Sequence, residues 1–391
     1  MESLTSESTL KFATDAATHG FFFMSPWRSL AAQGCFTAIN SPAYGGEIVA
    51  GAFQQEIRQR LDEAKQQGIA HPVIVGAIPF DTHQPSSLFI PESSRFFDRH
   101  AFKQRMPPPA AGQNLIIRRS AIPARTEFKQ MVAQAVAATT SARLDKVVLS
   151  RLMEIVTEKP VDIATLMVQL IVQNPDSYHF HVALPQGGSL LGASPELLMR
   201  MLDRCFYTHP LAGSARREKD SERDRAVGEQ LMNSPKDRYE HQLVIDAVRE
   251  CLQSHSSRLA IPAVPELLTT GTLWHLGTVV EGEISGEAEN ALSLACLLHP
   301  TPALSGFPHA SAMELIAELE PFDRGLFGGI VGWCDADGNG EWVVTIRCAR
   351  VAGERVSLFA GAGIVPDSTP ESEWRETDTK LDTMLHAFGL N

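Results

Sequence analysis

The chain has 391 residues, 44% apolar and 20% charged, a composition typical of a globular protein with a substantial core. Its 34 Lys and Arg face 46 Asp and Glu, giving a formal net charge of −12 without a basic run, which disfavours nucleic acid as a partner. No apolar stretch reaches the ~18 residues of a membrane span, and the six cysteines form no Cys-x-x-Cys pair, so we expect a cytoplasmic protein with reduced thiols and no membrane partner.

The first third of the chain is loosely patterned. Residues 1–18 contain one Lys and no long apolar run, so we expect no signal peptide. Apolar residues at helical spacing predict a helix over Gln54–Gln66, and an apolar run predicts a strand over His71–Phe80. The polar, proline-rich segment Arg99–Gly112 predicts an exposed loop.

From Thr126 onward the pattern tightens. Helices are predicted over Glu127–Ala138, Ile163–Gln173, Ser221–Gln253 and Glu371–Phe388, and strands over Lys146–Met153, Ser177–Leu184, Ser189–Ala193, Gly329–Cys334, Glu341–Arg350 and Val356–Phe359. Strands and helices alternate irregularly, and a hairpin is indicated by the turn-rich residues 335–340. This organisation favours a mixed α+β fold over a doubly wound parallel sheet.

Two motifs have the start of a metal site but not the whole of one. Asp335–Gly340 matches the first six positions of a calcium loop, but the twelfth position is Ile346 rather than Glu, so we interpret the segment as a hairpin turn. His179 and His181 alternate on a predicted strand and share a face. Since no third ligand is in sight, packed or hydrogen-bonded histidines are favoured over zinc ligands.

Two helices carry acidic residues on one face. In the last helix Glu373, Glu376 and Lys380 are spaced i, i+3, i+7, and in an earlier helix Asp237 and Glu240 are spaced i, i+3. Taken alone, such faces are typical of solvated helices with surface ion pairs. If the two faces oppose each other, their carboxylates would suit Mg²⁺, which takes one or two carboxylates together with waters and an anionic substrate group.

Three further charged residues stand at positions that admit a functional role. Lys146 opens an apolar strand, where a lysine is ordinarily an edge residue. Glu196 follows Pro195 at the end of another strand, where an acid ordinarily belongs to a turn. Arg347 lies within the apolar strand that begins near Trp342; a guanidinium there needs an anion, and a substrate carboxylate is one candidate.

Taken together, these segments resemble the chorismate-utilising enzymes, a family that includes anthranilate, aminodeoxychorismate, salicylate and isochorismate synthases. The matching segments follow the family's order: Lys146–Arg151, Gly192–Glu196, Pro210–Arg216, Glu240–His241, Leu273–Leu276, Pro300–Pro308, Phe327–Trp333, Ile346–Arg347, and Gly361–Val365 with Glu373, Glu376 and Lys380. No single segment is decisive, but the ordered set is specific, and it favours functional roles for the charged residues above. The first 120 residues, with Phe21–Pro26, are similar to the isochorismate synthases of enterobactin-type siderophore pathways.

The resemblance implies one large α+β domain of two layered antiparallel sheets with helices packed outside. Residues 1–120 would be the family-specific N-terminal part of this fold, and residues 121–391 the chorismate-binding catalytic region. The implied activity is that of an isomerase, the Mg²⁺-dependent and reversible conversion of chorismate to isochorismate for 2,3-dihydroxybenzoate and siderophore synthesis. Association with downstream enzymes of that pathway is also implied.

The resemblance further implies a role for each matching residue. Lys146 would be the general base that deprotonates water for attack at C2 of chorismate, and Glu196 the general acid that protonates the departing C4 hydroxyl. Mg²⁺ would be held by Glu240 and Glu376, with Glu373 acting through water. The substrate-binding residues would be Gly213, Ser214, His275, Ala303, Arg347, Gly361 and Lys380, of which Arg347 and Lys380 hold the carboxylates.

Two positions help to choose within the family. Aminodeoxychorismate synthases attack the ring with a Lys, and that position is Ala212 here; anthranilate synthases typically have Gln at the position of Lys146, so Lys146 favours water as the nucleophile. A salicylate synthase, which would also eliminate pyruvate, and an isochorismate synthase of the menaquinone pathway remain alternatives. A non-catalytic chorismate-binding protein is disfavoured, because a binder needs neither acid nor base.

Overall fold

Two antiparallel sheets form the frame of the computed structural model, which describes residues 3–109, 115–141, 143–286 and 288–389. The larger sheet contains, in spatial order, β18 (Gly306–Phe307), β8 (Lys146–Thr157), β22 (Arg355–Ile364), β21 (Cys348–Ala352), β10 (Ser189–Ser194), β9 (Tyr178–Ala183), β1 (Phe21–Met24), β2 (Ser29–Gln33) and β6 (Ser93–Phe97), with β7 (Ile116–Ile122) also paired to β8. The strand that begins at Lys146 is therefore internal and not an edge, because β22 pairs with one side of it and β18 and β7 pair with the other.

The second sheet packs against the first. Its spatial order is β14 (Ser256–Ala260), β17 (Val280–Ile284), β12 (Cys205–His209), β11 (Leu197–Leu202), β20 (Gly340–Val344), β19 (Ile330–Asp335), β4 (Val73–Ile78), β5 (Ser87–Ile90) and β3 (Thr37–Ile39). A small third sheet, which the sequence did not predict, contains β13 (Leu211–Arg216), β16 (Leu273–Gly277) and β15 (Glu266–Thr269). The neighbouring strands in all three sheets run antiparallel.

The helices cover the outer faces of the sheets. Within the described residues they are α1 (Glu7–His19), α2 (Ala52–Gln66), α3 (Arg99–Arg105), α4 (Arg125–Thr140), α5 (Ile163–Gln173), α6 (Ser221–Asn233), α7 (Pro235–Gln253), α8 (Ala291–Leu298), α9 (His309–Leu319) and α10 (Pro370–Ala387). Side-chain caps begin several of them: Ser234, for example, accepts a hydrogen bond from the Asp237 N–H at the start of α7, where Pro235 occupies the first turn.

The hydrophobic core has three parts that correspond to these layers. The cluster between the two large sheets joins side chains such as Phe23 and Phe180 of one sheet to Val75 and Trp333 of the other. A second cluster lies between the larger sheet and helices α1, α5 and α10, and a third lies between the other sheet and helices that include α2, α7 and α8. The predicted α+β fold, two layered antiparallel sheets with helices outside, is confirmed.

Three of the predicted elements differ from the structure. The single helix predicted over Ser221–Gln253 is two helices, because Ser234 ends α6 and caps α7. The loop predicted over Arg99–Gly112 begins with a helix, α3, and residues 110–112 of that segment lie outside the described residues. The strand predicted over Glu341–Arg350 is two strands in different sheets, because the chain crosses between the sheets after Val344.

A second crossing between the two sheets lies next to the first. The chain also passes from the larger sheet to the second sheet between β10 and β11, at Pro195 and Glu196. The two crossings are bonded to each other: the Val344 N–H donates to the Glu196 carbonyl at 3.2 Å, and the Ala193 N–H donates to the Arg347 carbonyl at 3.0 Å. The two sheets thus part at one place, and an acid and an arginine lie side by side there.

The remaining sequence interpretations concern isolated motifs. Residues 335–340 form the turn of the β19–β20 hairpin, with Asp335 accepting hydrogen bonds from the Asp337 and Asn339 N–H groups. His179 and His181 are both fully buried, and His181 is hydrogen-bonded to the Gly20 carbonyl and the Ser189 hydroxyl, as predicted for packed or hydrogen-bonded histidines. Among the described helices none is long and apolar enough to span a membrane.

Candidate active site

A cleft opens where the two sheets part, with about 650 Å³ of empty space including its open mouth. Ten of the twelve predicted site residues line this cleft: Glu196, Gly213, Ser214, Glu240, His275, Ala303, Arg347, Gly361, Glu376 and Lys380. The other two, Lys146 and Glu373, lie behind its wall. Residues that are up to 184 positions apart in the sequence (196 to 380) are thus brought together by the fold.

Arg347 occupies the crossing between β20 and β21. Its φ is +49°, in the left-handed region that a non-glycine residue adopts at a cost of about 1–3 kcal/mol, and such conformations cluster at functional sites. Burial lowers the pKa of its guanidinium to about 10, although the charges of the nearby Glu196 and Glu376 oppose this shift. The guanidinium therefore stays charged at neutral pH. A cation held in this way at the surface of a cleft is suited to bind a carboxylate.

A second cation, Lys380, reaches the cleft from helix α10. Its Nζ lies 2.6 Å from Oε1 of Glu376, one turn earlier in the helix, and donates to the Gly361 carbonyl at 2.8 Å. The side chains of Lys380 and Glu376 are 15% and 25% exposed, so the pair is not the solvated surface pair that the spacing alone suggested. Arg347 and Lys380 together give the cleft two cations for an anionic ligand.

Glu196 is buried beside Arg347, with 3% of its surface exposed. Burial raises the pKa of its carboxyl from the ordinary value of 4.5 to about 7, although the Leu211 N–H, which donates to Oε1 at 3.3 Å, and the cations Arg347, Lys146 and Lys380 all oppose this shift. A carboxyl with a pKa near 7 is protonated in a large fraction of molecules at neutral pH. It can therefore act as a proton donor to a ligand in the cleft.

Lys146 lies directly behind Glu240 and is fully buried. Its Nζ is 2.9 Å from Oε1 of Glu240, which projects from α7. The two side chains pass so close to Gly363 that a Cβ added there would lie 2.1 Å from Oε1 of Glu240 and 3.0 Å from Cε of Lys146. A side chain at this point of β22 would displace the ion pair, which occupies the space where that side chain would stand.

The predicted metal ligands each bond a lysine. Glu240 pairs with Lys146, Glu376 with Lys380, and Glu373 with Lys236, whose Nζ lies 2.8 Å from Oε1 of Glu373. Burial and then the charge of Glu376 raise the pKa of Glu373 to about 7, whereas for Glu376 the effect of burial is outweighed by Lys380, so its pKa is lowered.

The charge around Lys236 indicates a place for a cation. Burial alone would lower the pKa of Lys236, but the charges of Glu373, Glu376 and Glu240 raise it well above its ordinary value. Oε2 of Glu373 is buried without a hydrogen-bond partner among the described residues. An excess of carboxylate oxygen and an unpartnered buried oxygen suit a hard divalent cation such as Mg²⁺.

No metal site is preformed in the part of the chain that the structure describes, since no three His, Cys, Asp or Glu side chains there converge closely enough to hold an ion. The carboxylates of Glu240 and Glu376 nevertheless face the same cleft. Carboxylate oxygens are the ligands that Mg²⁺ prefers, so the donor set fits a magnesium ion in its chemistry. The assignment of Glu240, Glu373 and Glu376 as metal ligands stays a prediction.

The small and neutral residues predicted for the pocket complete its lining. His275 is buried, and burial, followed by the charges of Arg347 and Lys380, holds its pKa well below the ordinary value, so the ring is neutral. Its Nε2 has no hydrogen-bond partner among the described residues. The Ser214 hydroxyl lies 3.4 Å from Glu376, and Gly213, at φ +80°, passes close to Asp237.

Sequence reasoning missed the apolar part of the wall. The cleft is also lined by Val148, Pro195, Leu211, Ala212, Leu304, Phe327, Ile346 and Gly363. All eight residues lie inside the segments that carry the family resemblance, which was a signal that they border the same site. Their side chains were overlooked because apolar residues in strands are ordinarily core residues.

Comparison with known proteins assigns the family. A model of the chorismate binding enzymes matches residues 90–389. The chain belongs to this family. Among the chorismate binding enzymes it is 54% identical to isochorismate synthase EntC of Escherichia coli K12, over the whole of both chains, and 38% identical to isochorismate synthase DhbC of Bacillus subtilis, over 95% of this chain and 94% of that one.

Solved structures of the family have the same fold. A crystal structure from Bacillus anthracis, assigned as the 2,3-dihydroxybenzoate-specific isochorismate synthase DhbC, superposes with a TM-score of 0.90 at 36% identity and covers 98% of this chain and 100% of that chain. The menaquinone-specific isochorismate synthase MenF of Escherichia coli superposes with a TM-score of 0.81 at 25% identity, over 99% of this chain and 91% of that one. The resemblance inferred from the ordered motifs is confirmed.

Proposed function

We propose that this chorismate binding enzyme is an isochorismate synthase of siderophore biosynthesis, an isomerase that converts chorismate reversibly to isochorismate. The observation that carries the proposal is its 54% identity, from end to end, to the isochorismate synthase EntC. The similarity to DhbC, a 2,3-dihydroxybenzoate-specific isochorismate synthase in its Bacillus anthracis form, favours a siderophore route over the menaquinone route.

Substrate binding would rest on charge. Chorismate carries two carboxylates, and the cleft offers the guanidinium of Arg347 and the ammonium of Lys380. Arg347 can bind a carboxylate through two parallel hydrogen bonds, which orient the ring as well as attract it. Ser214, Gly213, Ala303, Gly361 and the neutral His275 would border the bound ring.

The reaction would need one proton to be removed from water and one proton to be donated to the departing hydroxyl. Lys146, in its neutral form, would accept a proton from water as the water oxygen bonds to C2 of the ring. The ring double bonds shift, the bond from C4 to its hydroxyl breaks, and Glu196 protonates the departing hydroxyl so that it leaves as water. One water is consumed and one released, so atoms balance, and the reverse reaction exchanges the roles of the two groups. Glu196 is suited to its part because its pKa is raised to about 7.

Magnesium belongs to the proposal as well. Glu240 and Glu376 would hold the ion directly and Glu373 through water, and the ion would neutralise a ring carboxylate next to the reacting carbons. Glu240 bound to the ion would no longer pair with Lys146, which would leave the lysine amine available as the base. Supporting this assignment are the carboxylates that face the cleft and the unpartnered oxygen of Glu373.

The proposal also includes a cellular location and a partner for the enzyme. We place the enzyme in the cytoplasm, in keeping with its six unpaired cysteines, and expect isochorismate to pass to a downstream enzyme of the pathway. A salicylate synthase is the alternative function, since it would use the same acid and base and then eliminate pyruvate.

Product identification decides between these functions. Purified protein is incubated with chorismate and Mg²⁺, and the products are separated by chromatography at intervals. Isochorismate alone, approaching a constant ratio to chorismate from either side, supports the proposal. Salicylate and pyruvate formed in step with chorismate loss would assign a salicylate synthase, and unchanged chorismate would indicate a binding protein.

A further inference from the structure

A buried ion pair lies behind the apolar wall of the cleft and does not line it. Glu320, which ends α9, and Arg324 have side chains that are each 2% exposed, and Nε of Arg324 donates to Oε2 of Glu320 at 2.8 Å while its Nη2 bonds Oε1. Burying two charges is costly unless further hydrogen bonds satisfy them. The other partners of this pair are therefore informative.

Those partners are backbone groups of the cleft wall. Nη1 of Arg324 donates to the Leu304 carbonyl at 2.8 Å, and Nη2 donates to the Val148 carbonyl at 2.7 Å. The backbone carbonyl of Arg324 accepts the Phe327 N–H at 3.0 Å. Val148, Leu304 and Phe327 all line the cleft. The side chain of Arg324 therefore joins Val148 and Leu304, which come from two separate segments, to its own turn, which carries Phe327.

Glu320 completes the connection to strand β8. Its Oε1 accepts the Ser150 N–H at 2.7 Å, next to the Val148 carbonyl that Arg324 binds. Ser150 pairs in turn with Gly361 of β22, another residue of the cleft. The guanidinium of Arg324 also lies over the ring of Phe80, 4.2 Å from its centre, and this contact helps to orient the plane of the guanidinium.

We propose that Glu320 and Arg324 are positioning residues for the chorismate reaction. They hold strand β8, which carries Lys146, at a fixed distance from the two loops that carry Leu304 and Phe327. This inference rests on the proposed function, because it assigns Lys146 as the base. A displacement of about 1 Å in a catalytic group can cost on the order of 10²-fold in rate, so the pair would act on turnover without touching the substrate.

The substitution Arg324→Lys tests the proposal. A lysine keeps the charge and can still pair with Glu320, but one ammonium cannot reproduce the planar fork that spans a carboxylate and two carbonyls. We expect kcat per folded molecule to fall about 10²-fold. We expect KM for chorismate to stay within roughly 3-fold, since Arg347 and Lys380 bind the carboxylates from other elements.

The matched control is Arg200→Lys. Arg200 forms an ion pair of 2.7 Å with the fully buried Glu341 and lies 5.4 Å from the ring centre of Trp27, but it does not line the cleft. Its substitution should lower the melting temperature about as much as Arg324→Lys while leaving kcat within roughly 3-fold of the wild type. Thermal unfolding followed by circular dichroism gives both the melting temperature and the folded fraction used to normalise kcat.

A milder variant keeps the proposal testable if Arg324→Lys does not fold. Glu320→Gln retains one oxygen for the Ser150 N–H but loses the charge and the second oxygen, which accepts from Nε of Arg324, and we expect kcat to fall about 10-fold. A folded Arg324→Lys with near-wild-type kcat, or an Arg200→Lys that loses as much turnover, would overturn the proposal; so would an unfolded Arg324→Lys with a Glu320→Gln of unchanged kcat. Failure of the proposed function is distinguishable, because it would be seen in the product of the wild type.

Discussion

The ammonium of Lys146 lies 2.9 Å from the carboxylate of Glu240, and the lysine is fully buried. The pair joins the residue assigned as the general base to a residue assigned as a metal ligand. A ligand that draws Glu240 toward the cleft therefore also leaves Lys146 without its counter-ion. Substitutions at the two positions are for this reason expected to affect each other and to be non-additive.

The first prediction concerns Lys146. Lys146→Ala should lower kcat by roughly 10²–10⁴-fold, the usual contribution of a positioned general base, in both the forward and the reverse reaction. Affinity for chorismate should change little, because the lysine is behind the cleft wall and not in its lining. Kinetics with chorismate and with isochorismate measure the first effect, and the chorismate-dependent rise in melting temperature measures the second. A variant with near-normal turnover would remove Lys146 from the mechanism. The control is Lys65→Ala, the same substitution on the exposed face of α2, which should leave turnover unchanged.

The second prediction is a pH dependence due to Glu196. Its pKa of about 7 in the native protein means that the acid form is lost as the pH rises through 7, so kcat/KM of the forward reaction should decline above this pH. Stability should follow the same group. Between pH 4.5 and about 7 the native state holds a proton that the unfolded state releases, so the free energy of unfolding falls as the pH rises across this window.

Glu196→Gln supplies the comparison for both effects. The variant should lose turnover by roughly 10²–10⁴-fold because an amide cannot donate the proton to the leaving hydroxyl. Its melting temperature should show a weaker decline between pH 4.5 and 7 than that of the wild type. A wild type and variant with parallel stability curves would contradict the raised pKa of Glu196.

The third prediction concerns the metal. Glu240→Gln or Glu376→Gln should abolish Mg²⁺-dependent turnover and weaken Mg²⁺ binding, measured by calorimetry, while the far-ultraviolet circular dichroism stays that of the wild type. Glu373→Gln should have a smaller effect, since this residue is assigned to act through water. A chelator should stop the wild-type reaction, and added Mg²⁺ should restore it. Ordinary Mg²⁺ affinity in the Glu240 and Glu376 variants would mean that the ion binds elsewhere.

The fourth prediction follows the oxygen atom. In ¹⁸O-labelled water the wild type should form isochorismate with the label in its C2 hydroxyl, because the nucleophile is water activated by Lys146. Mass spectrometry of the product, with isochorismate incubated in labelled water without enzyme as the control, makes the measurement. Isochorismate without label would indicate transfer of the original hydroxyl within the substrate, and Lys146 would then have no water to activate.

Much of the fold could be predicted from local pattern. The helix over Ile163–Gln173 was predicted with its observed bounds, and the hairpin at 335–340 was identified from its turn residues. These features depend on interactions between residues near each other in the chain, which periodicity and turn chemistry record directly. The break at Ser234 was missed although the sequence carries a signal for it, since a serine cap followed by Pro235 is typical of the start of a new helix.

The site was predicted only because of the family resemblance. From residue type and local spacing alone, Lys146 was expected at the edge of a sheet, and Glu376 and Lys380 on a solvated helix face. In the structure the strand of Lys146 lies between β18 and β22, and the last helix directs Glu376 and Lys380 into the cleft. Burial of this kind depends on what packs against a residue, and periodicity within one segment carries no information about its partner.

By itself, therefore, the sequence determined which residues are present, which short segments become helices and strands, and, through the order of its motifs, the family. The tertiary structure alone decided that the chain crosses between the sheets at both Glu196 and Arg347, which puts an acid beside a guanidinium. It also decided the raised pKa of Glu196 and the ion pair of Lys146 with Glu240. The reason is physical: desolvation and Coulomb energy depend on distances between groups that are far apart in the chain, and only the packed sheets set those distances.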